Sequence, residues 1–269
     1  MLALICALEA ELVHLRRSLD AASTIVTVGA GTVEVATLDT QPVVLARCGI
    51  GMVSAAATTE AILNHFPVSG VINYGCAGAH RRDLLPGDIV IADSVVAYDS
   101  VMVEPDGSER YWAMHHLLAG QQQQVERLAT SPWLCAAARS IAQRGELTPP
   151  WWPAALGWPA AVAPRAPRIT TGTVCSANRW NRSHAHIEDL VARFDSACED
   201  MEAAAVALVC AGHCVPFLAV KDISNNELLA TTTAADFDQV KAEIGRRAAL
   251  VVAEVVRSCS TAAGSLENR

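Results

Sequence analysis

Four short segments carry side chains able to do acid–base chemistry or to hold a polar ligand. Ala7-Leu8-Glu9-Ala10-Glu11-Leu12 follows an apolar run and places two carboxylates where a strand gives way to a helix. Open α/β sheets bind ligands at the carboxyl ends of their strands. The alternative is a solvated first helical turn, which the helix dipole also favours for acids. Cys48-Gly49-Ile50-Gly51-Met52-Val53 lies between a strand-like run and an Ala-rich stretch, where backbone amides at a helix N-terminus can meet a polar ligand. It is neither a dinucleotide fingerprint nor a phosphate loop with its lysine. Asn73-Tyr74-Gly75-Cys76-Ala77-Gly78-Ala79 ends another apolar run in small residues that permit close approach. The fourth site pairs Glu199-Asp200-Met201-Glu202-Ala203 with Lys221-Asp222-Ile223-Ser224-Asn225-Asn226. A buried carboxylate there needs a partner, and either a ligand's hydroxyl pair or a helix cap would serve.

These segments need strands and helices to position them. Runs rich in β-branched residues predict strands at Leu2–Ala7, Ile25–Val28, Val33–Leu38, Val43–Arg47, Val71–Gly75, Asp88–Ala92, Arg168–Thr173 and Val215–Lys221. Gly29-Ala30-Gly31 joins two of them as a hairpin turn. Leu8, Leu12, Leu15 and Leu19 recur at helical spacing. Val53–Phe66 reads as an Ala-rich helix stopped by Pro67, and Ala203–Gly212 as a buried helix ending at its glycine. Phe237, Val240, Ile244, Ala248, Val251 and Val255 mark a closing helix. Runs apolar on both faces, such as Val215–Val220, suit a sheet covered by helices on both sides. The expectation is one α/β domain over residues 1–258, with a mixed central sheet flanked by helices, and a flexible tail at 259–269.

The stretch Gly120–Pro167 breaks this rhythm. It holds four of the six tryptophans and most of the prolines, and it reads as an insertion made of a helix over Gln123–Arg144 and a Pro/Trp-rich loop. Packing on the body, a subunit contact and a pocket lid are the alternatives for its tryptophans.

Composition narrows the function classes. The chain has 269 residues, 52% hydrophobic and only 18% charged, which excludes a disordered polyelectrolyte. A net charge of −8 argues against a nucleic-acid partner. The mean hydropathy of +0.27 is high, yet the longest apolar runs fall far short of the roughly 20 residues a spanning helix needs, so no membrane partner is expected. No basic residue precedes the first apolar run, so Met1–Ala7 is not read as a signal peptide. The nine cysteines form an odd set without a CxxC pair and read as buried thiols of a cytoplasmic protein. Cys210, His213 and Cys214 are the one metal-like grouping, and a helix end explains them better. No metal and no cofactor are expected.

The order of the motifs is more specific than any one of them. Ala-x-Glu-x-Glu after the first strand, Gly-Ile-Gly before an Ala-rich helix, Asn-x-Gly-x-Ala-Gly followed by Pro-Gly-Asp-Ile-Val, then Asp-Met-Glu-Ala-Ala-Ala and Ile-Ser-Asn resemble the nucleoside phosphorylase/nucleosidase superfamily. More narrowly they resemble the methylthioadenosine/S-adenosylhomocysteine nucleosidases and the futalosine hydrolases. The likeness covers Met1–Tyr98 and Arg168–Val256 and leaves out Gly120–Pro167.

This resemblance implies a partly barrel-like mixed sheet and cleavage of a purine–ribose N-glycosidic bond. Glu11 matches the residue that activates water. Glu202 matches the one that holds the ribose hydroxyls, with Met201 beneath the sugar. Ile50, Cys76, Ala77, Gly78, Cys175, Ser176 and Ser224 match substrate-lining positions. A small-molecule purine nucleoside is the implied partner. A homodimer is also implied, with Tyr98–Val103 entering the neighbour's pocket. The chain lacks the phosphate-binding cations of the phosphorylases, with Arg47 the nearest candidate, so water is the expected nucleophile. His80, Arg81 and Arg82 either meet an anionic 5′ group or form a surface loop. Relatives carry a Phe near Cys175 to stack on the base, and this chain has none. Asn225 stands where adenine-releasing enzymes carry an Asp that protonates N7. An amide cannot act as that acid but can hydrogen-bond N7 and O6, so a 6-oxopurine nucleoside, with or without a 5′ modification, is expected. An adenine nucleosidase, a phosphorylase and a catalytically weak binder are the alternatives.

Overall fold

The computed structural model describes residues 1–20, 22–118, 120–142, 165–229 and 243–264. Apolar, β-branched sequence forms β1 (Leu2–Cys6), and Glu9–Arg16 forms α1 directly after it. β2 (Ser23–Val28) and β3 (Gly31–Leu38) meet at the expected hairpin, where Gly29 takes a positive φ of 58°. β4 (Gln41–Arg47) leads through the Gly-Ile-Gly loop into α2 (Met52–His65). β5 (Gly70–Ala79) and β6 (Ile89–Ala97) follow, both longer than the sequence suggested.

Two small hairpins project next. β7 (Val101–Val103) pairs with β8 (Glu109–Tyr111), and β9 (Met114–Leu118) pairs with β10 (Gln121–Val125). The glutamine run is therefore a strand, not the start of a helix. Its pairing with β9, Gln123 opposite His116 and Gln124 opposite His115, overrides the mild helix propensity of glutamine. β11 (Leu128–Ala129) adds to β6. The helix expected over Gln123–Arg144 is reduced to α3 (Pro132–Ala142), with Pro132 in its first turn, where a missing N–H costs nothing. The Pro/Trp-rich loop at 143–164 lies outside the described residues.

β12 (Ile169–Ser176), α4 (His184–Phe194), β13 (Ser196–Asp200), α5 (Ala203–Gly212) and β14 (Phe217–Asn225) complete the site-bearing half. The closing helix α6 runs from Arg246 to Gly264. Phe237 and Val240 lie outside the described residues, and 259–264 are helical where a tail was expected.

β14 pairs with both β5 and β6, and β6–β12–β13–β5 complete the circuit, so five strands close into a small barrel. The sheet continues from β5 through β1, β4, β3 and β2. Parallel and antiparallel pairs are mixed, as expected. Alternation along β1 splits the core: Ala3 and Ile5 pack with residues of α2 and α5, while Leu2, Leu4 and Cys6 pack with α1, α3 and α6. In α5 the residues Ala203, Ala204, Ala205, Val206, Ala207 and Cys210 are all buried, as its run of small residues demands. No helix among the described residues is long and apolar enough to cross a membrane.

Candidate active site

The carboxyl ends of β1, β5, β13 and β14 converge on one cavity of about 180 Å³. Glu11, Ile50, Cys76, Ala77, Gly78, Met201, Glu202, Ser224 and Asn225 all line it, so side chains far apart in sequence meet in one cleft.

Glu11 sits in the first turn of α1 and is almost fully buried. Its Oε2 accepts the amides of Ala7 and Leu8 at 3.0 and 2.9 Å, and its Oε1 accepts the Cys76 amide at 2.8 Å. Burial raises its pKa, against the opposing pull of these amides and of Lys221. Gly75, with φ of 149°, leaves the room for it: a Cβ there would lie 2.5 Å from Glu11 Oε1. Glu9 remains exposed and pairs with Arg16 and Arg47, so only one of the two carboxylates enters the site.

The acidic segment before α5 divides its labour. Asp200 caps the helix by accepting the Ala203 amide at 2.9 Å, and it holds Lys221 Nζ at 2.7 Å. Ser176 Oγ donates to Asp200 Oδ1 at 2.5 Å and accepts the Ala204 amide at 2.9 Å. Capping is thereby complete without Glu202. The Glu202 side chain turns to the cavity, and its Oε1 accepts the Gly51 amide at 2.8 Å. Burial, then the nearby Asp200 carboxylate, push its pKa up to about 7, opposed by Lys221 and Gly51. The Gly-Ile-Gly amides were expected to face a ligand. The structure gives the Gly51 amide to Glu202 instead, and the next amide, of Met52, to Asn178 Oδ1 at 2.9 Å.

A bulge in β14 sets Ser224 and Asn225 against a single step of β5, between Ala77 and Gly78. It breaks the strand's alternation so that both residues reach the cavity. Asp222 points the other way and accepts the Arg247 amide at 3.0 Å.

Cys175 and Ser176 do not line the cavity. β12 lies between β6 and β13, and its register buries Cys175 with Val96, Tyr98, Leu190 and Phe194. Ser176 is occupied by Asp200 and α5, as above. Arg47 stays exposed beside Glu9. His80 is buried, with Nδ1 2.8 Å from Ser196 Oγ and Nε2 3.3 Å from Glu199 Oε2. Arg81 pairs with Asp83, and Arg82 donates to the Leu228 carbonyl. None of these three reaches the cavity.

Several lining residues were not singled out from sequence. Lys221 is fully buried and donates to Asn73 Oδ1 at 2.6 Å as well as to Asp200. Burial alone would lower its pKa, but Asp200, then Glu202, hold it above the ordinary lysine range. A lysine directly after the apolar run Phe217–Val220, within a segment already noted, was the available signal, since burial there demands a partner. Arg179 and Trp180 come from the loop after β12, and the half-exposed Trp180 gives the cavity an aromatic side chain. That loop is pinned by Glu199, which accepts the Asn181 amide at 2.9 Å, Asn181 Nδ2 at 2.6 Å and the Tyr98 hydroxyl at 2.9 Å. Burial pushes the Glu199 pKa up, but His80 and Asn181 outweigh it and hold the carboxyl below its ordinary range. Among the described residues no cluster of three His, Cys, Asp or Glu side chains could hold a metal, and all nine cysteines are free thiols.

A closed barrel with an acidic cavity at its strand ends defines a class, and comparison with known proteins places the chain in it. The chain belongs to the phosphorylase superfamily, which it matches over residues 1–257. It is 29% identical to the 5′-methylthioadenosine/S-adenosylhomocysteine nucleosidase of Shewanella piezotolerans, over 94% of this chain and 97% of the relative. Among solved structures it resembles the enzyme of the same name from Neisseria meningitidis in complex with methylthio-immucillin-A, with a TM-score of 0.75, 27% identity, and coverage of 96% of this chain and 98% of the other. The futalosine hydrolase of Helicobacter pylori shares the fold, with a TM-score of 0.74 at 20% identity over 96% of this chain and 97% of that one.

Proposed function

We propose that this chain is a purine nucleoside N-ribohydrolase with Glu11 as the base that activates water. The observation that carries this reading is the convergence of Glu11, Glu202 and Asn225 on one cavity, each fixed by the backbone or a neighbour. In this reading Glu11 takes a proton from water as the N-glycosidic bond breaks. Its carboxylate, with Glu202, stabilises the positive charge that develops on the sugar. Glu202 has one oxygen on Gly51 and offers the other to the ribose 2′- and 3′-hydroxyls. Asn225 donates to the purine, and Trp180 supplies the apolar face that the position near Cys175 lacks.

Water is favoured over phosphate by the cations. Of the two that line the cavity, Lys221 is committed to Asp200 and Asn73, and Arg179 lies 3.4 Å from Glu109. Asn225 favours a 6-oxopurine. The second reading is an adenine nucleosidase acting on methylthioadenosine or S-adenosylhomocysteine, favoured by the names of the relatives. The test is incubation with inosine, guanosine, futalosine and methylthioadenosine, with and without phosphate. The expected result is base release without phosphate, fastest from the 6-oxopurines. Faster release from methylthioadenosine would select the second reading. A homodimer is part of the proposal, because Ile50, Val53 and Val103 expose apolar side chains around this end of the fold. Sedimentation as a monomer would refute it.

A further inference from the structure

The Asn225 amide lies between two oxygen-bearing side chains. Its Oδ1 is 2.8 Å from Ser224 Oγ, and its Nδ2 is 3.3 Å from Glu227 Oε1. Ser224 Oγ also lies 3.2 Å from the Ala77 carbonyl. A hydroxyl both donates and accepts. Turning the amide over would still satisfy Ser224, which would accept from Nδ2 and donate to Ala77. The other side would not be satisfied, because Oδ1 would face a carboxylate, acceptor against acceptor. Glu227 is therefore the group that distinguishes the two orientations. It is held for that task. Its side chain is only 13% exposed, Trp180 Nε1 donates to the same Oε1 at 3.4 Å, and Arg182 Nε lies 3.7 Å from Oε2. Its own carbonyl meets His184 Nε2 at 2.9 Å. Gly78 keeps the space before the amide open, since a Cβ there would lie 3.4 Å from Nδ2 and 3.5 Å from Oδ1.

We infer that Glu227 is a positioning residue for base recognition, fixing Asn225 with its nitrogen committed as a donor. This rests on the reading that Asn225 meets the base. A 6-oxopurine presents two acceptors on that edge, N7 and O6, whereas a 6-aminopurine presents one acceptor and one donor. With that nitrogen turned to position 6, the amide matches the first and mispairs with the exocyclic amino group of the second.

The experiment compares kcat/KM for inosine and adenosine, which differ only at position 6, in the wild type, E227Q, E227D and N225A. Glutamine can donate or accept, so E227Q leaves both amide orientations open. The inosine/adenosine ratio is expected to fall roughly tenfold, the worth of one neutral hydrogen bond. E227D keeps the charge and is expected to retain the wild-type ratio. In the N225A background, E227Q is expected to leave the ratio unchanged. If E227Q does not fold, E227S replaces it with the same expectation. A uniform fall for both substrates, with the ratio preserved, is what a merely structural role gives and would overturn the inference. If N225A itself leaves the ratio unchanged, Asn225 does not touch the base and the underlying reading fails. If N225A moves the ratio and E227Q does not, only the role of Glu227 fails.

Discussion

Glu11 Oε1 accepts the backbone amide of Cys76 at 2.8 Å, joining the first helix to the fifth strand across 65 residues of sequence. Three backbone amides hold this carboxylate in place, and burial raises its basicity against the pull of those at Cys76 and Leu8, of Lys221 and of the Cys76 thiol. In the proposed reading, a carboxylate so held in an acidic cleft takes the proton from water.

Glu11→Gln is expected to lower kcat by a factor of about 10² to 10⁴, the usual worth of a general base. The fold should survive. Glutamine has only one acceptor oxygen, so at least one of the amides from Ala7, Leu8 and Cys76 loses its partner, at a cost of about 1–3 kcal/mol. Steady-state kinetics and a denaturant titration check the two halves separately. Activity within a few-fold of wild type would remove Glu11 from the mechanism.

Gly75→Ala should act on the same carboxylate without touching it chemically. The new Cβ would fall 2.5 Å from Glu11 Oε1, at a φ of 149° that alanine rarely adopts. A loss of activity is expected alongside destabilisation of about 1–3 kcal/mol, the usual cost of a strained backbone. The variant is measured by thermal melting and turnover, and unchanged values for both would contradict the packing described.

The pH dependence has a definite sign. Glu202 has a folded pKa of about 7, above its ordinary value of 4.5. Its contribution to stability is therefore complete below about 4.5 and is lost as the pH rises through about 7. Activity moves the other way, because only the ionised carboxylate can accept both ribose hydroxyls. A rising limb in kcat/KM near pH 7 is expected, and Glu202→Gln should move that limb while lowering the rate. A flat profile from pH 5 to 9 would count against the assignment.

Lys221→Met leaves the Asp200 carboxylate buried without its cation, and Asp200 caps α5. Breaking a buried pair from one side costs about 3–5 kcal/mol. Urea denaturation should register that loss, and D200N combined with K221M should recover part of it. Equal stability of wild type and K221M would mean that the pair does not hold the floor of the site.

Much of this site was legible because its residues sit in ordered motifs at strand ends. Glu11, Glu202 and Asn225 could be named from the order in which Ala-x-Glu-x-Glu, Asp-Met-Glu and Ile-Ser-Asn occur and from the superfamily resemblance that order carries. Other parts depended on closure of the barrel. β13 has the sequence Ser-Ala-Cys-Glu-Asp, with no β-branched residue, and becomes a strand because it completes the circuit between β12 and β5. The same closure turns Cys175 into the core and brings Trp180 and Glu227 beside Asn225. The glutamine run read as helix because composition favours it, and only its partner strand decided otherwise.

Asn225→Asp tests the base reading through chemistry rather than position. A carboxylic acid can protonate N7 and, once ionised, accept from a 6-amino group. The preference for 6-amino over 6-oxo substrates should rise by about tenfold or more, one hydrogen bond's worth of discrimination. Competition between inosine and adenosine reads it directly, and an unchanged preference would show that residue 225 does not touch the base.

The most direct measurement is the fate of the sugar. Inosine is incubated with the protein in water enriched in heavy oxygen, with and without inorganic phosphate, and the products are analysed by mass. With Glu11 activating water, free ribose should appear carrying one heavy oxygen at C1, at a rate that phosphate does not change. Base release that requires phosphate, with the sugar recovered as an unlabelled phosphate ester, would contradict it.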